Sequence, residues 1–315
     1  MNSKKANWLF LSVILLHIVV SVLVTVMSRF FSLHIILNLL LSELLLLIPA
    51  LFVLWRTEGS LPEKLGLKRI RISTVLMTIL FTYLTMPLIV FVNLISMIFV
   101  DNQVMELSPQ ILNAPFPVIF FLMAVYGPFC EETVFRGVIY GSYRRDGKGI
   151  AAVILSGLLF GLMHMNFNQA AYAFVIGILL ALLVEATGSL WSSVLYHFIV
   201  NAQSVCLMYL MKSVAPSALE GAQQGLNLSV IMLFLVLAFY FLLAVAFTTL
   251  AVLLLLAIAR NEKREQIFYG IFRKKRSAEG ATEVHKKAER RILTVPAVAG
   301  IVLCLGVMVL EVVIS

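Results

Sequence analysis

Residues 130–137 read CEETVFRG, which places two carboxylates and a guanidinium inside the otherwise apolar segment 116–143. A charged side chain near the centre of a bilayer costs about 2.5–3.5 kcal/mol on insertion scales, so this cluster requires a reason. At helical spacing Glu132 and Arg136 lie one turn apart on the same face and can pair. Glu131 is rotated by about 100° from Glu132 and has no partner nearby in sequence. The stretch therefore predicts one neutralised and one free carboxylate at membrane depth, which indicates chemistry.

The composition around this stretch is that of an integral membrane protein. Of the 315 residues, 61% are hydrophobic and 13% are charged, and the mean hydropathy is +1.02. Soluble domains hold about 25% charged residues. The net charge of +8 would suit nucleic acid, but the basic residues lie in short loops between apolar runs, so no nucleic-acid partner is expected. The three cysteines fall within apolar runs and predict no disulfide framework.

Apolar runs long enough to cross about 30 Å of hydrocarbon as helices recur along the whole chain. We therefore predict an all-α, polytopic membrane protein with about nine transmembrane helices. The first run exceeds the length of a signal-peptide core and lacks an Ala-x-Ala site, so it is expected to be a retained span. The predicted spans lie near 8–28, 32–55, 74–100, 116–143, 149–167, 169–187, 190–211, 226–259 and 294–314.

The distribution of basic residues predicts the orientation of these spans. With the N-terminus inside, the inner segments carry 21 of the 24 Lys and Arg residues, and the outer loops carry only Arg29 and Lys212. By the positive-inside rule this predicts a cytoplasmic N-terminus and an outside C-terminus. The basic inner loops, without an organellar or retention signal, favour a bacterial plasma membrane. The basic loop 260–293 is expected to face anionic lipid.

Three regions follow from this organisation. Residues 1–110 are predicted to hold the N-terminal helices and an interfacial amphipathic segment at 61–70. Residues 111–212 are predicted to hold helices 4–7, which include the charged stretch. Residues 213–315 are predicted to hold the C-terminal helices and the basic cytoplasmic loop.

Two further polar clusters fall in the spans that follow the charged stretch. Phe160 and His164 are spaced i, i+4 in the fifth span, and His197 and Asn201 have the same spacing in the seventh. Each pair alone would be explained by an ordinary contact between helices. Counted along the spans, Glu131, His164 and His197 lie roughly 17, 22 and 11 Å from the inner side. These depths permit a single site.

The residue types are those of a hydrolytic centre. Glu131 is suited to take a proton from water, and His164 to share that water or to bind a metal. His197 and Asn201 are suited to donate hydrogen bonds to the oxyanion that forms when water attacks a carbonyl. The Glu132–Arg136 pair would hold the helix in place. Although Cys130 adjoins Glu131, no serine or cysteine is suitably paired to act as a nucleophile, so water is the simpler nucleophile.

These motifs resemble those of the CPBP family, the CAAX proteases and bacteriocin-processing proteins also called the Abi family. That family includes the type II CAAX prenyl endopeptidases. The resemblance covers roughly residues 110–212, where Glu-Glu-x-x-x-Arg, Phe-x-x-x-His and His-x-x-x-Asn follow one another in successive spans. It implies an intramembrane endopeptidase in which residues 111–212 form a catalytic core of helices 4–7 around a water-accessible intramembrane cavity. The matching residues are Glu131, Glu132, Arg136, Phe160, His164, His197 and Asn201.

The resemblance also implies roles for these residues. Glu131 and His164 would activate water, His197 and Asn201 would stabilise the oxyanion, and Phe160 would line the substrate cavity. Members of the family are often described as metalloproteases, and a divalent metal such as zinc would take Glu131, His164 and His197 as its ligands. The same residues can act without metal, so both forms stay open. The expected substrate is a peptide, a bacteriocin-like precursor or a membrane-protein tail.

Two other functions compete with the peptidase. An ion- or proton-coupled transporter would use Glu131, the two histidines and the mid-span Glu43 as a relay. No internal repeat is visible, which argues against that class. A non-catalytic bacteriocin-immunity membrane protein would keep the same residues for stability alone.

Overall fold

The computed structural model describes residues 1–27, 34–147, 149–223, 229–273 and 292–314, and within these ranges every regular element is a helix. The predicted all-α class is therefore confirmed. In chain order the helices are α1 Ser3–Met27, α2 Ile35–Trp55, α3 Leu61–Leu65, α4 Ile72–Ser96, α5 Gln103–Leu112, α6 Phe116–Arg145, α7 Gly149–Met163, α8 Phe167–Thr187, α9 Leu190–Val214, α10 Pro216–Gln223, α11 Val230–Asn261, α12 Glu265–Gly270 and α13 Val295–Ile314.

Eight of the described helices are long and apolar enough to cross a membrane, namely α1, α2, α4, α6, α8, α9, α11 and α13. The chain is thus a multi-pass membrane protein. The predicted fifth span corresponds to α7, which has only 15 residues and a length of about 22 Å. It ends at Met163, earlier than the sequence indicated, so the count of nine spans stays a prediction. The first helix begins at Ser3, earlier than the predicted span 8–28, and it includes Lys4 and Lys5.

Hydrogen bonds at the two ends of the bundle show how the helices alternate. Asn7, in the first turns of α1, donates from Nδ2 to the carbonyl of Ile292 just before α13, at 2.6 Å. At the opposite end, Asn166 in the turn between α7 and α8 donates to Glu311 near the end of α13, at 3.2 Å. The starts of α1 and α13 therefore share one end, as an odd number of crossings requires. Which end faces the cytoplasm stays a prediction, and residues 274–291 of the basic loop lie outside the described residues.

The predicted interfacial segment is only partly a surface element. It forms the short helix α3 and then an extended stretch that is bound to the turn between α8 and α9. The backbone N–H of Leu190 donates to the Gly66 carbonyl at 2.9 Å. Leu65 is buried and belongs to the main apolar core. The segment therefore packs into one end of the helix bundle and is not confined to the membrane surface.

Helix α6 occupies the middle of the bundle, in contact with α2, α7, α8 and α9. It begins and ends as α-helix, but it widens into π-helical turns at Phe121–Tyr126 and Thr133–Tyr140. The α-helical turns Gly127–Glu132 between them carry both glutamates. All eight residues of the second π-helical segment are buried. Such bulges occur often at functional sites.

Helices α7 and α8 cross at very close range next to α6. A Cβ atom placed on Gly177 would lie 2.7 Å from the Cα atom of Gly157, so each helix needs a glycine at the crossing. This contact brings the backbone of α8 within reach of the side chains of α6.

Candidate active site

The predicted Glu132–Arg136 pair forms inside the protein. Arg136 Nη1 lies 2.9 Å from Glu132 Oε1, and neither side chain is exposed. The guanidinium also donates from Nη2 to the Gly177 carbonyl of α8 at 3.3 Å. Its central carbon lies 4.1 Å from the centroid of the Phe160 ring on α7. The pair therefore braces α6 against α7 and α8.

His197 of α9 lies between the two glutamates. Its Nδ1 atom is 3.1 Å from Glu132 Oε1, so Nδ1–H donates to that carboxylate. Its Nε2 atom lies 3.8 Å from Glu131 Oε2. The Glu132 oxygen thus contacts both Arg136 and His197, and it fixes the imidazole with Nε2 facing Glu131. Because Nδ1 carries a hydrogen, Nε2 donates a hydrogen bond only when the ring is an imidazolium.

His164 sits in the turn that follows α7, and Phe160 connects it to His197. The Phe160 ring meets both imidazoles edge to face, with centroid distances of 5.3 Å to His164 and 5.8 Å to His197. His164 Nδ1 lies 3.0 Å from the Phe160 carbonyl and donates to it. The Nε2 atom of the neutral ring is then a free acceptor, suited to take a proton from water.

Asn201 lies one turn beyond His197 on the same face of α9. Its Nδ2 atom donates to the carbonyl of Met123, in the first π-helical segment of α6, at 2.9 Å. An amide nitrogen carries two hydrogens, so the second N–H stays available to an oxyanion.

Glu131 differs from Glu132 in the way that the sequence indicated. Its side chain is 13% exposed, and Oε2 makes no hydrogen bond to any other group in the described part of the chain. The two adjacent carboxylates therefore have different surroundings. Glu132 is held by a guanidinium and an imidazole, whereas Glu131 Oε2 has no hydrogen-bond partner among the described residues. The expected cavity around it stays a prediction.

Glu43 of α2 lies next to this site, as the transporter alternative expected when it grouped Glu43 with Glu131. A Cβ atom placed on Gly127 would lie 3.4 Å from Glu43 Oε1, and Gly127 is one turn before Glu131. Glu43 is close enough to Glu131 to interact with it electrostatically. A lone carboxylate in an apolar span was the only signal in the sequence. The packing of α2 on α6, which gives that carboxylate its neighbour, is not encoded in any spacing.

The donor set does not match the metal site that the family resemblance implies. Among the described residues, no three His, Cys, Asp or Glu side chains converge closely enough to hold a metal ion. The Nδ1 atoms of His164 and His197 hydrogen-bond to the Phe160 carbonyl and to Glu132, so Nε2 is the ring nitrogen that each would offer to a metal. Cys130 is buried beside Glu131 and is not in a disulfide.

The sequence itself carries a family match over this site. Residues 113–203 match the family model described as Type II CAAX prenyl endopeptidase Rce1-like. The matched range contains all seven residues of the three motifs. The resemblance to the CPBP family is thereby confirmed.

Two bacterial relatives match parts of the chain. The chain is 30% identical over 123 residues to the membrane-embedded CAAX protease MroQ of Staphylococcus aureus (strain USA300), which covers 37% of this chain and 48% of that protein. It is 25% identical over 85 residues to YdiL of Bacillus subtilis (strain 168), covering 27% and 35%. The matches thus span less than half the length of either relative. No solved structure matches the chain.

Proposed function

We propose, from the CPBP-family core that residues 113–203 form, that this protein is an intramembrane peptidase that hydrolyses peptide bonds with activated water. The observation that carries the proposal is the position of the His197 ring. It touches Glu132, faces Glu131 and packs on Phe160, which in turn packs on His164. Residues from three helices thus form a continuous chain of contacts that begins at Glu131, a carboxylate available to act as a base.

The proposed reaction begins at Glu131. Its carboxylate takes a proton from water, with His164 Nε2 accepting a hydrogen bond from the same water, and the oxygen adds to the carbonyl of the scissile bond. The resulting oxyanion accepts hydrogen bonds from the second N–H of Asn201 and from Nε2–H of His197, whose ring is an imidazolium in this step because its Nδ1–H also donates to Glu132. Glu131 then gives its proton to the leaving amine. The new carboxylate keeps the oxygen of the water, and no covalent enzyme intermediate forms.

Asn201 gives a test of the oxyanion role. We expect Asn201→Ala to lower kcat by about 10²-fold with a smaller change in KM, because the lost hydrogen bond is strongest in the transition state. Asn201→Asp should lose more, since a carboxylate repels the oxyanion. Steady-state kinetics on a cleaved peptide measure both. Gln203→Ala, at an exposed position of the same helix, is the matched control. A change confined to KM would contradict this role.

Metal dependence is tested by chelation. Since no group of three ligands converges among the described residues, the proposal assigns no step to a metal ion. We expect unchanged activity after dialysis against 1,10-phenanthroline, with the metal content measured by mass spectrometry. Loss of activity that zinc restores would show instead that Glu131, His164 and His197 rearrange into a ligand set.

We propose a peptide or a membrane-protein tail as the substrate and a bacterial plasma membrane as the location, with the N-terminus in the cytoplasm. Both relatives are bacterial, and α6 and α9, two of the three helices that carry the site, are long and apolar enough to cross a membrane. Anionic lipid at the basic inner loops remains part of the proposal.

A second candidate is a proton-coupled transporter, and the observation that favours it is the closeness of Glu43 to Glu131. Two buried carboxylates from different helices are a common feature of proton relays. One experiment separates the two functions. The purified protein in liposomes is incubated with a peptide library, and both cleavage and proton flux are measured. The peptidase predicts fragments that depend on Glu131 and His164, and substrate-driven proton flux without fragments would favour the transporter.

A further inference from the structure

The last helix, α13, lies outside the family match, yet its one carboxylate reaches the neighbourhood of the active site. Glu311 Oε2 accepts a hydrogen bond from Asn166 Nδ2 at 3.2 Å. Its Oε1 accepts one from Gln103 Nε2, in the first turn of α5, at 3.3 Å. A carboxylate near the end of a helix would be solvated without such partners. Here each oxygen binds an amide from a different part of the chain.

Asn166 belongs to the turn that carries His164. Helix α7 ends at Met163, and the backbone N–H of His164 donates back to Gly161 at 3.2 Å. Asn166 then caps α8, since its Oδ1 accepts from the backbone N–H of Gln169 at 3.1 Å. His164 therefore stands two residues before a side chain that Glu311 holds.

Met165, between His164 and Asn166, has a backbone conformation that needs support. Its φ is +51°, in the left-handed region that a side chain with a Cβ rarely adopts. A strained backbone conformation of this kind is kept only where contacts with the surrounding structure fix it, and it occurs often at functional sites. The cap of Asn166 on α8 and its bond to Glu311 are two contacts that fix this turn from its far side.

We propose that Glu311 is a positioning residue, which holds the His164 turn in its reactive geometry through Asn166. The inference rests on the proposed function, because it gives the turn a catalytic purpose. Gln103 holds the other carboxylate oxygen and ties the same point to α5, which precedes the catalytic helix α6. The added last helix thereby stabilises the orientation of His164 without touching the substrate.

The test exchanges the donor and the acceptor of this contact. Asn166→Asp keeps the helix cap but sets a carboxylate against Glu311, and we expect kcat to fall about tenfold. Glu311→Gln alone weakens the bond, so we expect a fall of about threefold. The double variant restores a donor facing an acceptor, and its kcat should return to within about twofold of wild type. Asn2→Asp, the same change beside the start of α1 at the opposite end of the bundle, is the matched control and should leave kcat unchanged.

A second readout makes the inference independent of cleavage. In a Cys206→Ser background, which removes the one exposed cysteine among the described residues, Met165→Cys reports the opening of the turn by its rate of maleimide labelling. We expect faster labelling with Asn166→Asp and a return to the starting rate with Glu311→Gln added.

If wild type cleaves peptides and Asn166→Asp matches it in kcat and labelling, the inference is wrong. It is equally wrong if the exchange fails to restore both. If wild type cleaves nothing, the proposed function fails and labelling alone decides the position of the turn.

Discussion

Glu131→Gln should lower the rate of peptide hydrolysis by about 10³-fold or more, because an amide cannot take the proton from water. The change keeps the size of the side chain. Among the described residues, Glu131 Oε2 accepts no hydrogen bond, so the substitution removes no hydrogen bond of that oxygen. The folded state should therefore survive, and the loss should fall on kcat. Single-turnover kinetics with a cleaved peptide measure the chemical step directly.

Two controls make this result specific. Glu106→Gln is the same change at an exposed position of α5 and should leave the rate unchanged. Cys130→Ser removes the neighbouring thiol and should also leave cleavage intact, since water is the proposed nucleophile. Full activity in Glu131→Gln would contradict the assignment of the base. Loss of activity in Cys130→Ser with full activity in Glu131→Gln would identify a thiol mechanism instead.

Glu132→Gln should destabilise the protein by about 3–5 kcal/mol, because it leaves the Arg136 guanidinium buried without a counter-charge. Both side chains of the pair are fully buried, so no water is at hand to replace the lost partner. The same change removes the carboxylate that orients His197, and catalysis should fall as well. Thermal unfolding in detergent, followed by intrinsic fluorescence or by a thiol-reactive dye, measures the loss.

A double variant separates the orphaned charge from the lost contact. Adding Arg136→Met removes the unpaired guanidinium, so Glu132→Gln with Arg136→Met should be more stable than Glu132→Gln alone. The exposed pair Arg260–Glu265 is the matched control, and Glu265→Gln should leave the unfolding temperature unchanged within error, because water and salt screen an exposed ion pair. If Glu132→Gln were as stable as wild type, the bracing role of the pair would be wrong.

Local spacing predicted much of this site. The i, i+4 spacing predicted the ion pair between Arg136 and Glu132. The apolar runs predicted the order of the spans, one of which carries Phe160 to its contact with His197. These features follow from the helical repeat and from the cost of charge in a membrane, both of which are legible in one stretch of chain. The expectation that Glu131 would be the freer carboxylate has the same origin.

The features that the sequence did not predict depend on contacts between distant segments. The π-helical turns of α6 have no local signature that the sequence analysis could use. Helix α7 ends at Met163, where the turn with His164 begins. Asn166 of that turn is hydrogen-bonded to Glu311, which is 145 residues away in the sequence. Glu43 looked isolated for the same reason, since its neighbour lies on another helix.

In the proposed reaction, water that is activated by a carboxylate cleaves the peptide bond without forming an acyl-enzyme. The most direct measurement is mass spectrometry of peptides cleaved by the purified protein in H₂¹⁸O with hydroxylamine present. Each new C-terminus should be a free carboxylate that carries one ¹⁸O atom from the attacking water. C-terminal hydroxamates, which hydroxylamine forms by capturing an acyl-enzyme, or the absence of any cleavage, would contradict it.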